Sequence, residues 1–271
     1  MSNVFAVSRP RLVIPLLLVA AACSSTVELP FPHDTVEVVT VLDGDSLVVR
    51  IDGGERDVRL LGINTPELGE CFSEEARAAT RDLVGPTVRL AGNDDDQFGR
   101  LLRYVYTDDG VLINQELVAG GFALALSNGH ALLDDFKAEE ASAFANRLGL
   151  WEGGACGPTT SATLTISDLQ PDAPGDDSQN PNGEWVEVAN EGSRNVELSG
   201  WALRDESSRH RFRFPAGFEL EAGERVRVLS GCGDDGNDKL YWCDGDAIWN
   251  NGGDTAYLLD ASGNVVARRA F

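Results

Sequence analysis

Val58 to Glu67 reads VRLLGINTPE, an apolar run that breaks at Asn-Thr-Pro and carries Arg59, Asn64, Thr65 and Glu67 at or near its end. Oxygen donors beside a guanidinium suit a site that handles a cation and an anion together. Hard divalent ions take oxygen ligands, and the arginine fork makes charge-assisted hydrogen bonds to phosphate or carboxylate. The amide at Asn64 is the anomaly, because a hard cation prefers a carboxylate there. Two other stretches have the same character: the DGD turn at 43–45 and QFGR at 97–100. Each feature also has a plain structural reading. Asp43 and Asp45 flank a turn glycine, where aspartate is common; Arg59 could reach along an edge strand into solvent; Glu67 could favour the start of a following helix.

The elements around these residues decide between the readings. Three strand-like runs, VEVVTVL, SLVVRI and DVRLLGI, are separated by turns at DGD and DGGE and form a meander. SEEARAATRDLV (73–84) predicts a helix with Ser73 as N-cap and Glu74 and Glu75 in its first turn. Strands are expected at 87–92 and 101–107, a short helix near 114–119 and a longer one over 133–149. Five strands with helices after the third and beyond the fifth point to a small OB-type barrel with appended helices. From about Ser161 helical periodicity disappears, and strand-like runs with frequent turn residues predict an all-β sandwich. The expected fold class is therefore a β-rich two-domain protein. Residues 36–158 form the barrel, 161–271 the sandwich, and GGACGPTTSA contains the boundary.

The start of the chain predicts export. Arg9 and Arg11 precede the apolar run Leu12–Ala22, which is too short to span a bilayer and reads as a secretory signal. Ala20-Ala21-Ala22-Cys23 resembles a bacterial lipoprotein processing site, implying a leader at 1–22, a lipid anchor on Cys23 and a tether over 23–35. Ordinary cleavage after the alanines is the alternative. The remaining four cysteines, Cys71, Cys156, Cys232 and Cys243, read as disulfides in an oxidising compartment. They allow three pairings; Cys232–Cys243 as a short loop with Cys71–Cys156 is favoured. No C-x-x-C pair exists and His33, His130 and His210 are scattered, which argues against zinc.

VLDGDSLVV, VRLLGINTPE, DQFGRLLRYVY, INQELVAGGFA and AEEASAFANRLGLW occur in the order and approximate spacing of the staphylococcal-nuclease-like (thermonuclease) family, which residues 36–151 resemble. The resemblance implies a calcium-dependent phosphodiesterase acting on DNA and RNA and leaving 3′-phosphate ends. It assigns Asp45, Asn64 and the Thr65 main-chain carbonyl to Ca2+. It gives Arg59 and Arg100 to the scissile phosphate and Glu67 to activation of the attacking water. Phe98 replaces the more usual tyrosine before Gly-Arg; with Tyr104 and Tyr106 it is a candidate base-stacking residue. Asn64 stands where the family usually has aspartate, so a weaker calcium site is expected, tightened by Asn64→Asp.

GEWVEVANEG, VELSGWALRD, FPAGFELEAGERVRV and IWNNGGDTAYLLDASGNVV resemble a lamin-tail domain, an immunoglobulin-like sandwich, with Trp185, Trp201 and Trp249 as expected core residues. It carries no evident catalytic set. The net charge of −22, with 24 acidic against 10 basic residues over 24–158 and 20 against 10 over 159–271, is unusual for a protein that binds polyanions. Calcium bridging or a saline medium would relieve the repulsion. Only Lys137 and Lys239 are lysines, so nearly all positive charge is arginine. The expected partners are nucleic acid and, through Cys23, a membrane, with the protein a monomer. The rival readings are a catalytically weak nucleic-acid-binding module and a surface adhesion lipoprotein.

Overall fold

The computed structural model describes residue 32, residues 34–245 and residues 247–271. The leader and the lipidation expected at Cys23 lie outside the described residues. The first domain is built on β1 (Thr35–Val41), β2 (Ser46–Ile51) and β3 (Gly54–Leu60), followed by a two-residue β4 (Ile63–Asn64), α1 (Ser73–Leu83), β5 (Thr87–Ala91) and β6 (Leu101–Tyr106). Then come α2 (Ile113–Ala119), a short β7 (Leu124–Ala125) and α3 (Leu133–Asn146). The five long strands close a barrel in the order β1-β2-β3-β6-β5, antiparallel except for the β3–β6 pair. Alternation fills it: Leu47, Val49, Val58, Leu60 and Val105 point inward and are buried, with α2 and Phe136 of α3 closing one side. The β2–β3 hairpin turns at Asp52 and Gly53, both in the left-handed region (φ 51° and 79°), as a tight hairpin requires.

Three local expectations are corrected. The third strand does not run on to Ile63. It stops at Leu60, turns through Gly62 (φ 78°) and resumes as β4, which pairs with β7. A Cβ at Gly62 would lie 2.5 Å from the His130 ring, so glycine is required there. Ser73 is not an N-cap. It is the first residue of α1, its hydroxyl donates to the Glu70 carbonyl at 2.8 Å, and the cap position belongs to Phe72 in the left-handed region. The last helix ends at Asn146, where Arg147 turns left-handed, and Gly149–Trp151 form a separate 3-10 turn.

The second domain is a sandwich. Its strands are β8 (Leu164–Gln170), β9 (Trp185–Asn190), β10 (Val196–Glu197), β11 (Ala202–Arg204), β12 (Arg211–Arg213), β13 (Glu219–Leu220), β14 (Arg225–Leu229), β15 (Lys239–Tyr241), β16 (Thr255–Leu259) and β17 (Val265–Ala270). One sheet is β15-β14-β9-β8, the other β12-β11-β16-β17, and β10 pairs with β13. Trp201 and Trp249 lie in the core between the sheets. Trp185 does not; it is half-buried and covered by the Arg227 guanidinium, 3.9 Å from its ring centre.

Every residue of β11 and of β16 is buried. A sandwich strand buries alternate residues against its own core, so burial of all of them means that the second face is covered too. The cover is the barrel domain. Ala202, Tyr257 and Leu259 pack against Leu124, Ala143, Leu150 and Trp151 in an apolar cluster shared by the two domains.

Candidate active site

Asp45 follows the Asp43–Gly44 turn between β1 and β2. Gly44 is required by close approach, because a Cβ there would lie 2.7 Å from the Thr65 hydroxyl. Thr80 of α1 donates from its hydroxyl to the Gly44 carbonyl at 2.5 Å, tying the turn to the helix. The buried Asp45 carboxylate accepts from the Thr65 amide at 2.8 Å and lies 2.9 Å from Arg59 Nη2. Burial pushes its pKa upward, against the opposing pull of Arg59.

Arg59 is the hub. Its Nη1 donates to the Leu60 and Ile63 carbonyls at 2.9 and 2.8 Å, and its Nη2 to Asn64 Oδ1 at 3.2 Å. Asp45 and Asn64 therefore aim one oxygen each at a single cationic nitrogen. Asp45 and Asn64 are oxygen donors carrying one negative charge between them, a chemistry that suits a hard divalent ion better than a soft one. Among the described residues no group of three or more His, Cys, Asp or Glu side chains is placed to hold a metal ion, at this cluster or elsewhere.

Arg100 and Phe98 lie with Arg59 along one groove of about 230 Å3, also lined by Asp96 and Asn128. Asp96 organises this loop: its carboxylate accepts from the Phe98 and Arg100 amides, both at 2.9 Å, and from Arg100 Nε at 2.7 Å. These hydrogen bonds hold the Asp96 pKa below the usual carboxylate range, although burial opposes them as the largest single influence. Phe98 is 76% exposed, with the Arg100 guanidinium 5.8 Å from its ring centre. Its ring is available for stacking on a base. Glu67 is exposed on the loop after Pro66, and its amide donates to Glu70 Oε2 at 3.1 Å.

Asp45, Arg59, Asn64 and Thr65 thus form one hydrogen-bonded cluster, and Arg100 and Phe98 share a groove with Arg59. Tyr104 and Tyr106 do not join them. Tyr104 is 3% exposed in the barrel core, its hydroxyl 2.9 Å from His130 Nδ1, so it has no free face for a base. Tyr106 is half-buried against the same core. Both stand on the face of β6 opposite the inward-pointing Val105, and for Tyr104 that face is covered by His130 and Phe136. Cys71 is bonded to Cys156 and Cys232 to Cys243, with Cα separations of 5.5 and 4.4 Å. The first bridge ties the loop after Glu67 to the end of the barrel domain.

Two contributors escaped sequence reasoning. Asn114 is fully buried. Its Oδ1 accepts from the Val105 amide at 2.8 Å, and its Nδ2 donates to the Leu61 and Arg103 carbonyls at 2.9 and 3.2 Å. It pins the strand end that carries the cluster, and the INQEL motif was its only signal. The other is Glu206 of the second domain, whose main-chain carbonyl accepts from Asn64 Nδ2 at 3.0 Å. No local pattern announces a contact across 142 residues.

The first domain is thus a closed five-stranded barrel of the OB type, with Asp45, Asn64 and the two arginines Arg59 and Arg100 gathered at one edge. Residues 57–153 match the model for staphylococcal nuclease homologues, and residues 158–271 match that for the Lamin Tail Domain. The chain is 31% identical over 150 residues to a micrococcal nuclease of Shigella flexneri, covering 50% of this chain and 84% of that protein. An uncharacterized endonuclease of Haemophilus influenzae is 33% identical over 150 residues, covering 54% of this chain and 80% of that one. A thermonuclease of Staphylococcus hyicus is 33% identical over 102 residues, which span 34% of this chain and 60% of that protein. The chain belongs to the staphylococcal nuclease family, and its first domain is a hydrolytic nuclease domain joined to a lamin-tail domain.

Proposed function

We propose that the protein is an exported, calcium-dependent nuclease that hydrolyses phosphodiester bonds in DNA or RNA and leaves 3′-phosphate ends. The observation that carries this reading is the convergence of Asp45 and Asn64 oxygens on Arg59, beside a groove that also holds Arg100 and Phe98. Calcium held by Asp45, Asn64 and the Thr65 carbonyl would neutralise charge on the non-bridging phosphate oxygens. Arg59 and Arg100 grip the phosphate through charge-assisted hydrogen bonds as negative charge builds on it. Both are ion-paired, to Asp45 and Asp96, so substrate phosphate competes for guanidinium groups already in position. Arg100 acts by charge alone, because arginine does not give up its proton in proteins. Glu67 faces solvent and is free to accept a proton from attacking water. Phe98 offers its ring to a base.

Export, with lipid attachment at Cys23, is supported by the basic and apolar stretch before it and by the two cysteine pairs. The substrate, the metal and the product ends are tested by digesting denatured DNA and RNA with the mature protein, in calcium and in chelator. Activity should need calcium and vanish in Glu67→Gln and Arg100→Ala. Full activity in chelator would refute the metal assignment. Inactivity with every divalent ion would favour a nucleic-acid-binding module instead.

A further inference from the structure

The second domain does more than follow the first; it touches the nuclease centre at two points. The first is Asn64. Its Nδ2 donates to the Glu206 carbonyl and its Oδ1 accepts from Arg59 Nη2. A carbonyl can only accept and a guanidinium can only donate, so the two partners fix the amide in one orientation. The Glu206 carbonyl turns the Asn64 oxygen toward Arg59, the guanidinium that Asp45 also holds. A carboxylate at position 64 would set lone pairs against that carbonyl. The second point is Arg211, 2.7 Å from Glu70 Oε1, while Glu70 Oε2 receives the amide of Glu67. Arg211 thereby steadies the loop that carries Glu67.

Glu206 is held firmly enough for its carbonyl to matter. It is 2% exposed, and its carboxylate accepts from the Ser127 amide at 2.6 Å and the Ser127 hydroxyl at 3.0 Å. It also accepts from the Thr255 hydroxyl at 2.7 Å and pairs with Lys137 of α3. Lys137 is one of only two lysines in the chain.

We infer that the lamin-tail domain is a positioning element of the nuclease centre: Glu206 orients the Asn64 amide and Arg211 anchors the Glu67 loop. The amide at position 64, where a carboxylate is usual, is then a consequence of domain docking. The catalytic consequence rests on the nuclease reading above; the structural one does not.

The test is hydrogen exchange on the full chain without metal, comparing the parent with Glu206→Ala and Arg211→Ala. Glu206→Ala keeps the main-chain carbonyl but removes the carboxylate contacts that hold it in place, so the Thr65 amide should exchange roughly tenfold faster, as loosening of one buried hydrogen bond allows. Arg211→Ala should accelerate Glu67 and spare Thr65. The barrel amides of β2 and β6 serve as the folding control. A Lys137→Met, Glu206→Met pair, which removes both charges and keeps apolar volume, should restore protection at Thr65. Calorimetry with calcium alone should show weaker binding in Glu206→Ala than in the Met pair. Unchanged exchange at Thr65 and Glu67 in both alanine variants, with β2 and β6 intact, would overturn the inference. Because exchange is read without substrate, an inactive parent would refute the nuclease reading while this comparison still decided the positioning role.

Discussion

Asn64→Asp separates what the metal wants at position 64 from what the domain interface wants. Asn64 is 4% exposed, and the substitution removes its 3.0 Å hydrogen bond to the Glu206 carbonyl, leaving two acceptors facing each other. Such a loss costs roughly 1–3 kcal/mol. The new carboxylate gains a charge-assisted bond to Arg59 Nη2, but Asp45 already holds that nitrogen at 2.9 Å, so two carboxylates would share one guanidinium. In chelator the variant should therefore unfold at a lower temperature, by roughly 2–4 °C per kcal/mol lost in a protein of this size. In calcium the order of effects reverses. A carboxylate is the better ligand, and each tenfold gain in affinity returns about 1.4 kcal/mol at saturating ion. The assay is scanning calorimetry of parent and variant in chelator and in excess calcium. The calcium-induced rise in Tm should be larger for the variant, while its starting Tm is lower. A variant as stable as the parent in chelator would refute the argument, because the Glu206 contact would then contribute nothing. An unchanged calcium response would remove Asn64 from the ligand set.

Phe98→Ala should raise KM without lowering Tm, since the ring is exposed; aromatic–base stacking of roughly 1–3 kcal/mol predicts a fivefold or greater effect on roughly that scale, read from initial rates on single-stranded DNA. Replacing Cys71 and Cys156 by Ala opens a loop with a sequence separation of 85. Chain entropy puts the loss at up to about 4.5 kcal/mol, measurable by urea denaturation, and an unchanged midpoint would contradict it. Asp254 supplies a pH signature, because burial, aided by nearby Glu206 and Asp205, raises its pKa from 3.8 to about 7. The folded state holds this proton more tightly than the unfolded one, so the group's contribution is full below about pH 4 and lost as pH rises toward 7. The Tm advantage of the parent over Asp254→Asn should therefore shrink between pH 5 and pH 8, by up to about 3 kcal/mol in free energy; a constant difference would refute the shift.

The barrel was legible because its signals are local. Leu47 and Val49, then Val58 and Leu60, alternate at a period of two, and Asp52-Gly53 fits the hairpin turn between them. The donor cluster was legible for the same reason: Arg59, Asn64 and Thr65 fall within seven consecutive residues, and Asp45 sits in a marked turn. The tyrosines were misread because a repeat of aromatics on a strand does not say which face holds the substrate. Tyr104 stands on the face of β6 opposite Val105, buried under the segment leading into α3, where its hydroxyl finds His130 and the Leu132 amide. The stop after Leu60 was missed because an apolar run looks continuous when one of its residues, Gly62, is there for a tight turn against a distant histidine. The interface was illegible altogether. Burial of both faces of β11 and β16 depends on a partner surface far away in sequence.

The two buried carboxylates of that surface are exchanged between the domains. Glu206 of the sandwich takes Lys137 and Ser127 from the barrel domain. Glu140 of α3, 1% exposed, takes the Tyr257 hydroxyl at 2.9 Å and Arg268 at 2.6 Å from the sandwich. Neither pair is a strong argument for stability, since desolvation offsets most of the attraction in a buried ion pair. Their leverage lies in misalignment, because breaking one partner away leaves an uncompensated buried charge at roughly 3–5 kcal/mol. Sliding the sandwich along the barrel would break both pairs together, whereas the apolar patch of Leu124, Leu150, Trp151, Tyr257 and Leu259 would tolerate some slip. The apolar patch brings the domains together, and the crossed carboxylates select one register. Only in that register does the Glu206 carbonyl meet Asn64, so the same contacts that fix docking also set the direction of the amide oxygen beside Arg59.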